Sequence, residues 1–303
     1  MKRQTVLITG ATGLVGSAFV DKLIRDKKMI DLLCPSHNDL DVADFMALKR
    51  YVEVNKPEVI INFAAHRNAN TAEEQRGDKK GSAWVTNVIG IKNIVKICKS
   101  SKIRLIHIST DYVFSGEGPK KGPYSENDLT ESNMKSLSWY GWTKNLAEKI
   151  VLKDNPNSCV VRIGNVVRPV YDPKLDYVGK VLWLYDRNKL YPLFEDQFIT
   201  LSYIPEITLV IEKLLEKKIS GIFHAASRDL TTPFKMAEYL ILKSRSKSGV
   251  VERTSIDGYL MQNSNRYPKY GGLKIGETQK RLGIKFGSWR DVVDNFIKYA
   301  KTN

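Results

Sequence analysis

Short β-branched apolar runs alternate along the chain with longer stretches in which apolar residues return every three or four positions. The windows 5–9, 59–64, 104–109, 159–163 and 221–225 read as strands, with a weaker one at 29–34. Between them, window 14–26 carries Leu14, Val15, Ala18, Phe19 and Leu23 on one helical face, and window 84–99 carries Trp84, Val88, Ile91, Ile94, Val95 and Cys98. Two further helices are predicted at 142–153 and 207–217. Strand and helix in alternation predict a parallel sheet with helices on both faces, a Rossmann-like doubly wound α/β fold. After Gly164 the rhythm loosens and Tyr, Pro and Trp become frequent, which predicts a smaller C-terminal α/β lobe for the substrate, built from two separate segments. The chain shows no internal repeat.

Composition narrows the class. The 303 residues are 42% hydrophobic and 27% charged, enough to bury one large core or two closely joined ones. Three widely spaced cysteines, Cys34, Cys98 and Cys159, each lie in or beside an apolar run and read as reduced core thiols, without zinc spacing. The opening MKRQTVLITG is interrupted by glycine too early for a signal-peptide core, and no window reaches the length of a membrane span. A cytoplasmic protein without membrane contact is therefore expected. Lys and Arg number 48 against 33 Asp and Glu, a net charge of +15. Because the cations are spread along the chain, with only short runs such as KSRSKS at 243–248, they read as a solvated surface and not as a nucleic-acid footprint.

Three local patterns carry chemistry. In VLITGATGLVG, Gly10, Gly13 and Gly16 follow a buried strand and open an amphipathic helix, the context a dinucleotide pyrophosphate needs, although the spacing is G-x-x-G-x-x-G. ISTDYVFSG places Ser109, Thr110 and Asp111 at the carboxyl end of a strand, the edge where open α/β sheets bind ligands. Tyr140-Gly-Trp-Thr-Lys144 opens a helix and sets a phenol and an amine four residues apart on one face.

These blocks resemble the extended short-chain dehydrogenase/reductase superfamily, and within it the dTDP-4-dehydrorhamnose reductase family. The resemblance runs nearly end to end, through NDLDVAD, KPEVIINFAA, VTNVIGIKNI, YGWTKNLAEK, FEDQFITLSY, GIFHAAS and the terminal RYPKYGGL and LGIKFGSW. It implies an NAD(P)H-dependent oxidoreductase that reduces the 4-keto group of a nucleotide-diphosphate-linked 6-deoxy sugar. Thr110 would bind the substrate carbonyl, Tyr140 would donate the proton, and Lys144 would meet the nicotinamide ribose. A nearby ammonium is expected to lower the phenol pKa. Gly10, Thr12, Gly13, Leu14, Val15 and Gly16 would form the pyrophosphate turn, Asp41 and Val42 the adenine contact, and Ala64 and Ala65 the strand end under the adenosine ribose. An acid at the end of the second strand would favour NAD(H), but the sequence there is Leu33-Cys34-Pro35-Ser36-His37, so NADP(H) is favoured and NAD(H) stays open; His37 is a candidate for the 2′-phosphate. The resemblance further implies a dinucleotide domain at 1–164 and 203–226, a substrate lobe at 165–202 and 227–303, and a homodimer as one option.

Departures from the family pattern gather in the second lobe. The usual Arg-Thr-Ser-Trp is here Arg162-Ile163-Gly164-Asn165, Asp196-Gln197 is followed by Phe198-Ile199-Thr200-Leu201-Ser202, the C-terminal Arg-Pro pair is partly kept at Arg266-Tyr267-Pro268, and Ala147 stands where a glycine usually precedes Glu148. Sugar identity is thereby left open. Arg162, Arg187 and Arg266 are candidates to hold a diphosphate, and Lys243, Arg245 and Lys247 read as solvated. Asp111 reads as a structural hydrogen-bonding group, Glu117, Glu126 and Asp128 as loop surface, and no metal is expected. Two other readings stay open: an epimerase or dehydratase that retains its nicotinamide, and a non-catalytic subunit like the regulatory subunit of methionine adenosyltransferase.

Overall fold

All six apolar runs become strands of one sheet, because residues such as Val6, Leu7, Ile8, Ile60, Ile61, Leu105 and Ile106 leave no face for water. A computed structural model describes residues 3–117, 121–169, 176–263 and 267–300. In chain order the first part comprises β1 (Gln4–Thr9), α1 (Leu14–Arg25), β2 (Ile30–Leu33), α2 (Phe45–Asn55), β3 (Val59–Asn62), α3 (Ala69–Glu74), α4 (Ser82–Trp84), a π-helical stretch (Val85–Gly90) and α5 (Ile91–Ser101). Then follow β4 (Arg104–Thr110), α6 (Trp139–Asp154), β5 (Cys159–Ile163), β6 (Asn165–Val167), α7 (Tyr177–Tyr185), β7 (Leu193–Phe194), β8 (Leu201–Tyr203) and α8 (Ile204–Lys217). The chain closes with β9 (Gly221–Ala225), α9 (Pro233–Arg245), β10 (Arg253–Thr254), α10 (Ile256–Gln262), α11 (Gly276–Leu282) and α12 (Trp289–Ala300).

The chain divides into two compact units. The first, Met1–Val113 with Thr130–Arg162 and Ile211–Phe223, holds most of the sheet, ordered β2-β1-β3-β4-β5-β9. Its pairs β1–β2, β1–β3 and β3–β4 are parallel. Register sets which residues share a face. Leu7 lies opposite Ile60 and Ile60 opposite Leu105, and this apolar row, with Val160 of β5, packs against Leu48, Ile94, Ile97, Ala147 and Val151 from the covering helices. Two residues further on, the same face turns polar: Thr9 lies opposite Asn62, and Asn62 opposite His107.

The helix expected at 84–99 departs from a uniform α-helix. It begins at Ser82, widens to a π-helix over Val85–Gly90 and resumes as α5. The extra residue in that turn carries the buried Asn87 inward, where it accepts from His66 N at 2.9 Å and donates to His66 O at 3.1 Å and to Thr143 Oγ1 at 3.0 Å. Three hydrogen bonds made by one buried amide account for the interruption.

The second unit is Phe114–Leu129, Ile163–Val210 and His224–Asn303. It has two short parallel pairs, β6 with β8 and β7 with β10, over a core that includes Val167, Val178, Leu182, Leu201, Leu240, Trp289 and Phe296. Relative to the expected boundaries, segments 114–129, 163–164, 203–210 and 224–226 fall in this unit. For the first of them the reason is backbone pairing: Gly122 N donates to Tyr270 O at 3.0 Å, Tyr124 N to Gly272 O at 2.9 Å, and Lys274 N to Tyr124 O at 2.7 Å. No helix of the described residues is long and apolar enough to cross a membrane.

Candidate active site

The first unit builds an anion cradle where β1 and β3 end side by side, at the point where the strand order reverses direction. The chain leaves β1 through Gly10, whose φ of +69° lies in the left-handed region, and a Cβ there would sit 2.6 Å from Ala64 N. Only glycine satisfies both constraints. Gly13 N donates to Gly10 O at 3.0 Å and closes the turn, and a Cβ on Gly16 would lie 2.4 Å from the same oxygen. Helix α1 starts at Leu14 with Gly13 as its N-cap and no capping side chain, so the first-turn N–H groups are left for an anion. Thr12 and Gly13 are exposed, while Leu14 and Val15 are half-buried. Ala64 and Ala65 continue from β3, also half-buried, behind Gly10. Asp41 accepts from Ala43 N at 2.9 Å, Val42 is buried, and Asn93 of α5 donates to Val42 O at 3.1 Å and Ala43 O at 2.9 Å, which fixes this loop to the helix.

The second cluster forms at the end of β4. Thr110 is buried; its Oγ1 donates to Asp111 Oδ1 at 3.2 Å and accepts from Tyr112 N at 3.3 Å. Helix α6 starts three residues earlier than the pattern predicts, because Ser138 caps it by accepting from Gly141 N at 3.1 Å. A Cβ on Gly141 would lie 2.3 Å from Tyr112 O, so glycine lets the first turn of α6 rest on the chain that follows β4. That contact brings Tyr140 into hydrogen bond with Thr110, with its ring edge-on to Tyr112 at 5.7 Å. One helical turn on, the buried Lys144 donates to Ile108 O at 2.6 Å and lies 3.3 Å from His107 Nε2.

Burial dominates the electrostatics. It pushes the Tyr140 phenol up to about 12; the Thr110 hydrogen bond opposes this, the Asp111 charge adds to it, and Arg67 opposes it. The expected lowering by an ammonium is therefore corrected: the Lys144 amine is turned to Ile108 O and His107, and the phenol stays protonated at neutral pH. Burial also raises Asp111 to about 7, against hydrogen bonds from Thr110 and the backbone, and lowers Lys144 to about 8, against the Glu148 charge. His107 is driven well below its ordinary value by burial and by Lys144.

Several other expectations change. Arg162 is not available to a diphosphate: it is 1% exposed and holds Glu148 of α6 through Nε at 3.0 Å and 3.2 Å and through Nη2 at 2.7 Å. Arg187 is exposed, donating to Trp183 O and stacking over the Trp183 ring at 4.2 Å, and Arg266 lies outside the described residues. Glu126 is buried rather than surface, accepting from Thr278 N at 2.8 Å and Thr278 Oγ1 at 2.7 Å. Cys34 is exposed, unlike the buried Cys98 and Cys159. Arg245 forks onto Asp186 at 2.8 Å and 2.7 Å, so it is paired as well as solvated. In the second unit, Gln197 donates to Pro268 O at 3.2 Å, and Thr200, within the stretch that departs from the family pattern, accepts from Leu273 N through Oγ1 at 3.2 Å, so both brace the backbone. Among the described residues no group of three His, Cys, Asp or Glu is placed to hold a metal ion.

Pattern reading missed Asn62, Asn87 and His107. Strand alternation carried the signal for two of them, since Asn62 and His107 share parity with the inward Ile60 and Leu105.

With this geometry in hand, comparison with known proteins is direct. A family model described as the RmlD substrate binding domain matches residues 4–302. A dTDP-4-dehydrorhamnose reductase of Mycolicibacterium smegmatis is 30% identical over 235 residues, 77% of this chain and 67% of that protein. The methionine adenosyltransferase 2 subunit beta of Rattus norvegicus is 29% identical over 312 residues, 96% of this chain and 89% of that protein. Among solved structures, a dTDP-4-dehydrorhamnose reductase from Bacillus anthracis in complex with NADP has a TM-score of 0.84 and 22% identity, covering 98% of this chain and 99% of that one.

Proposed function

From the premise that this chain belongs to the RmlD substrate binding domain family, we propose that it is an NADPH-dependent reductase of a nucleotide-linked 4-keto-6-deoxy sugar, working in the cytoplasm. The observation that carries this reading is the Thr110–Tyr140 hydrogen bond at the end of β4, with the buried Lys144 one turn away. The glycine cradle and the uncapped α1 N-terminus fit a dinucleotide pyrophosphate. Gly10, Thr12, Gly13, Leu14, Val15 and Gly16 would hold that group, Asp41 and Val42 the adenine, and Ala64 and Ala65 the adenosine ribose. The nicotinamide, when bound, supplies the hydride. The chain's own residues handle the oxygen. Thr110 donates to the sugar carbonyl, and Tyr140 delivers a proton to the oxygen as negative charge develops there. A phenol held near 12 suits that direction, because it starts protonated. Lys144 would orient the nicotinamide ribose.

Tyr140→Phe keeps the ring and removes the proton. Turnover on the true substrate is expected to fall at least about a hundredfold, the size of a general-acid contribution. NADPH affinity, followed by fluorescence, should barely move. Near-normal turnover would overturn the assignment.

A second reading, a non-catalytic subunit, is favoured by the 29% identity to the methionine adenosyltransferase subunit over 96% of the chain. It predicts NADPH binding without consumption in the presence of every keto sugar tested.

A further inference from the structure

The single hydrogen of the Thr110 hydroxyl is already committed in the free protein. A threonine Oγ1 carries one hydrogen and two lone pairs. Its hydrogen goes to Asp111 Oδ1 at 3.2 Å, and one lone pair takes Tyr112 N at 3.3 Å. The bond between Thr110 and Tyr140 therefore uses the second lone pair, with the phenol as donor. Every place on Oγ1 is filled, and no hydrogen is left for a substrate carbonyl. Asp111 lies on the next turn after β4, equally buried, and its carboxyl also takes backbone N–H groups.

We propose that Asp111 is a positioning residue that works as the neutral acid: it donates a hydrogen bond to Thr110 Oγ1 and so turns the Thr110 hydrogen onto the substrate carbonyl. A carboxylate only accepts, and it keeps the Thr110 hydrogen for itself; a carboxylic acid also donates. With Asp111 donating, the two lone pairs of Oγ1 hold Tyr112 N and the Asp111 hydrogen. The phenol is then released from Thr110, and the Thr110 and Tyr140 hydrogens converge on one oxygen, where negative charge develops. Burial supplies the neutral form by raising the carboxyl to about 7, opposed by hydrogen bonds alone. Of the charged and titratable groups nearby, Tyr140 of α6 faces Asp111 across Thr110, and Arg67, after β3, bears on Tyr140. Lys144 of α6 is engaged with Ile108 O and His107. The proposal deepens the reductase reading, on which the carbonyl rests, and gives that reaction an alkaline limit.

The test is turnover against pH with the full chain, saturating NADPH and a saturating dTDP-linked 4-keto-6-deoxy sugar. Wild-type kcat should be level below about 7 and fall above it, approaching tenfold per unit. Asp111→Asn places an amide that donates at every pH, so its kcat should hold near the wild-type plateau and lose that inflection. Thr110→Val removes the hydroxyl through which Asp111 acts. Its kcat should drop about a hundredfold at low pH, the size of a lost oxyanion donor, and show no inflection near 7. An inflection near 8 from Lys144 is common to all three proteins. An inflection near 7 that stays in folded Asp111→Asn, or that survives in Thr110→Val, overturns the proposal; if Asp111→Asn does not fold, Thr110→Val decides. Carbon-13 NMR of the aspartate carboxyls in the free protein reads the same group without turnover, with Asp111→Asn or Thr110→Val identifying its signal. Titration at the ordinary 3.8 in place of about 7 overturns the proposal as well. If wild type consumes no NADPH with any keto sugar, the reductase reading falls and the proposal with it; if it does consume NADPH and the variants leave the profile unmoved, only the proposal falls.

Discussion

Asp111 shows most directly how burial turns into pH dependence at a single residue. Its carboxyl is raised from an ordinary 3.8 to about 7, chiefly by desolvation. Because the folded pKa lies above the unfolded one, the native state binds the extra proton between those values, and stability falls as pH rises through that window. At about 1.4 kcal/mol per unit the shift corresponds to roughly 4 kcal/mol at most by pH 8, an order-of-magnitude figure. Asp111→Asn removes the ionisation and keeps an acceptor for Thr110. Denaturant unfolding of the two proteins should show the variant gaining on wild type as pH rises from about 4 to about 8. A difference independent of pH would mean that Asp111 is already ionised without penalty. Lys144 has the opposite sign: its folded pKa lies below 10.5, so the native state sheds the proton first and stability rises with pH between about 8 and 10.5.

Among elements, α6 joins sequence to chemistry. Ser138 starts it, Gly141 seats it on Tyr112, and Lys144, Ala147, Glu148 and Val151 face inward from it. Gly141→Ala places a methyl 2.3 Å from Tyr112 O, so the first turn must lift. The expected cost is about 1–3 kcal/mol of stability, as for other overpacking changes, together with a loss of turnover larger than the loss of NADPH affinity, because Tyr140 moves and the glycine cradle does not. Equal losses in both would show that α6 supports the whole unit and not the Thr110–Tyr140 contact. The elements that were legible in sequence are those whose period is local. The apolar run into Gly10, the face of α1 and the strand before Thr110 all declare themselves within ten residues. What stayed hidden depends on partners far along the chain. The apolar period of 84–99 runs unbroken through the π-turn, whose cause is the pairing of Asn87 with His66 and Thr143. Arg162 looked free for a diphosphate because Glu148, its partner, sits on another element. Glu126 looked like loop surface because Thr278 lies 152 positions away.

At the scale of the molecule, the +15 charge carries no fold argument. The cations are dispersed, and several are neutralised locally, as Lys22 and Lys28 are by Glu212. The cradle and the Thr110–Tyr140–Lys144 cluster both belong to the first unit, so on the proposed reading the groups for cofactor and proton are carried by that unit's strand ends and by α1 and α6. The second unit, whose sequence departs most from the family pattern, is where substrate choice is expected to reside. The proteins this chain is similar to include both reductases and a subunit of another enzyme, so chemistry must be decided on this protein itself. The decisive measurement follows nicotinamide absorbance while purified wild-type protein, NADPH and a dTDP-linked 4-keto-6-deoxy sugar are mixed. The account predicts stoichiometric loss of NADPH with reduction of the sugar ketone; bound NADPH that persists beside each nucleotide-linked keto sugar offered would contradict it.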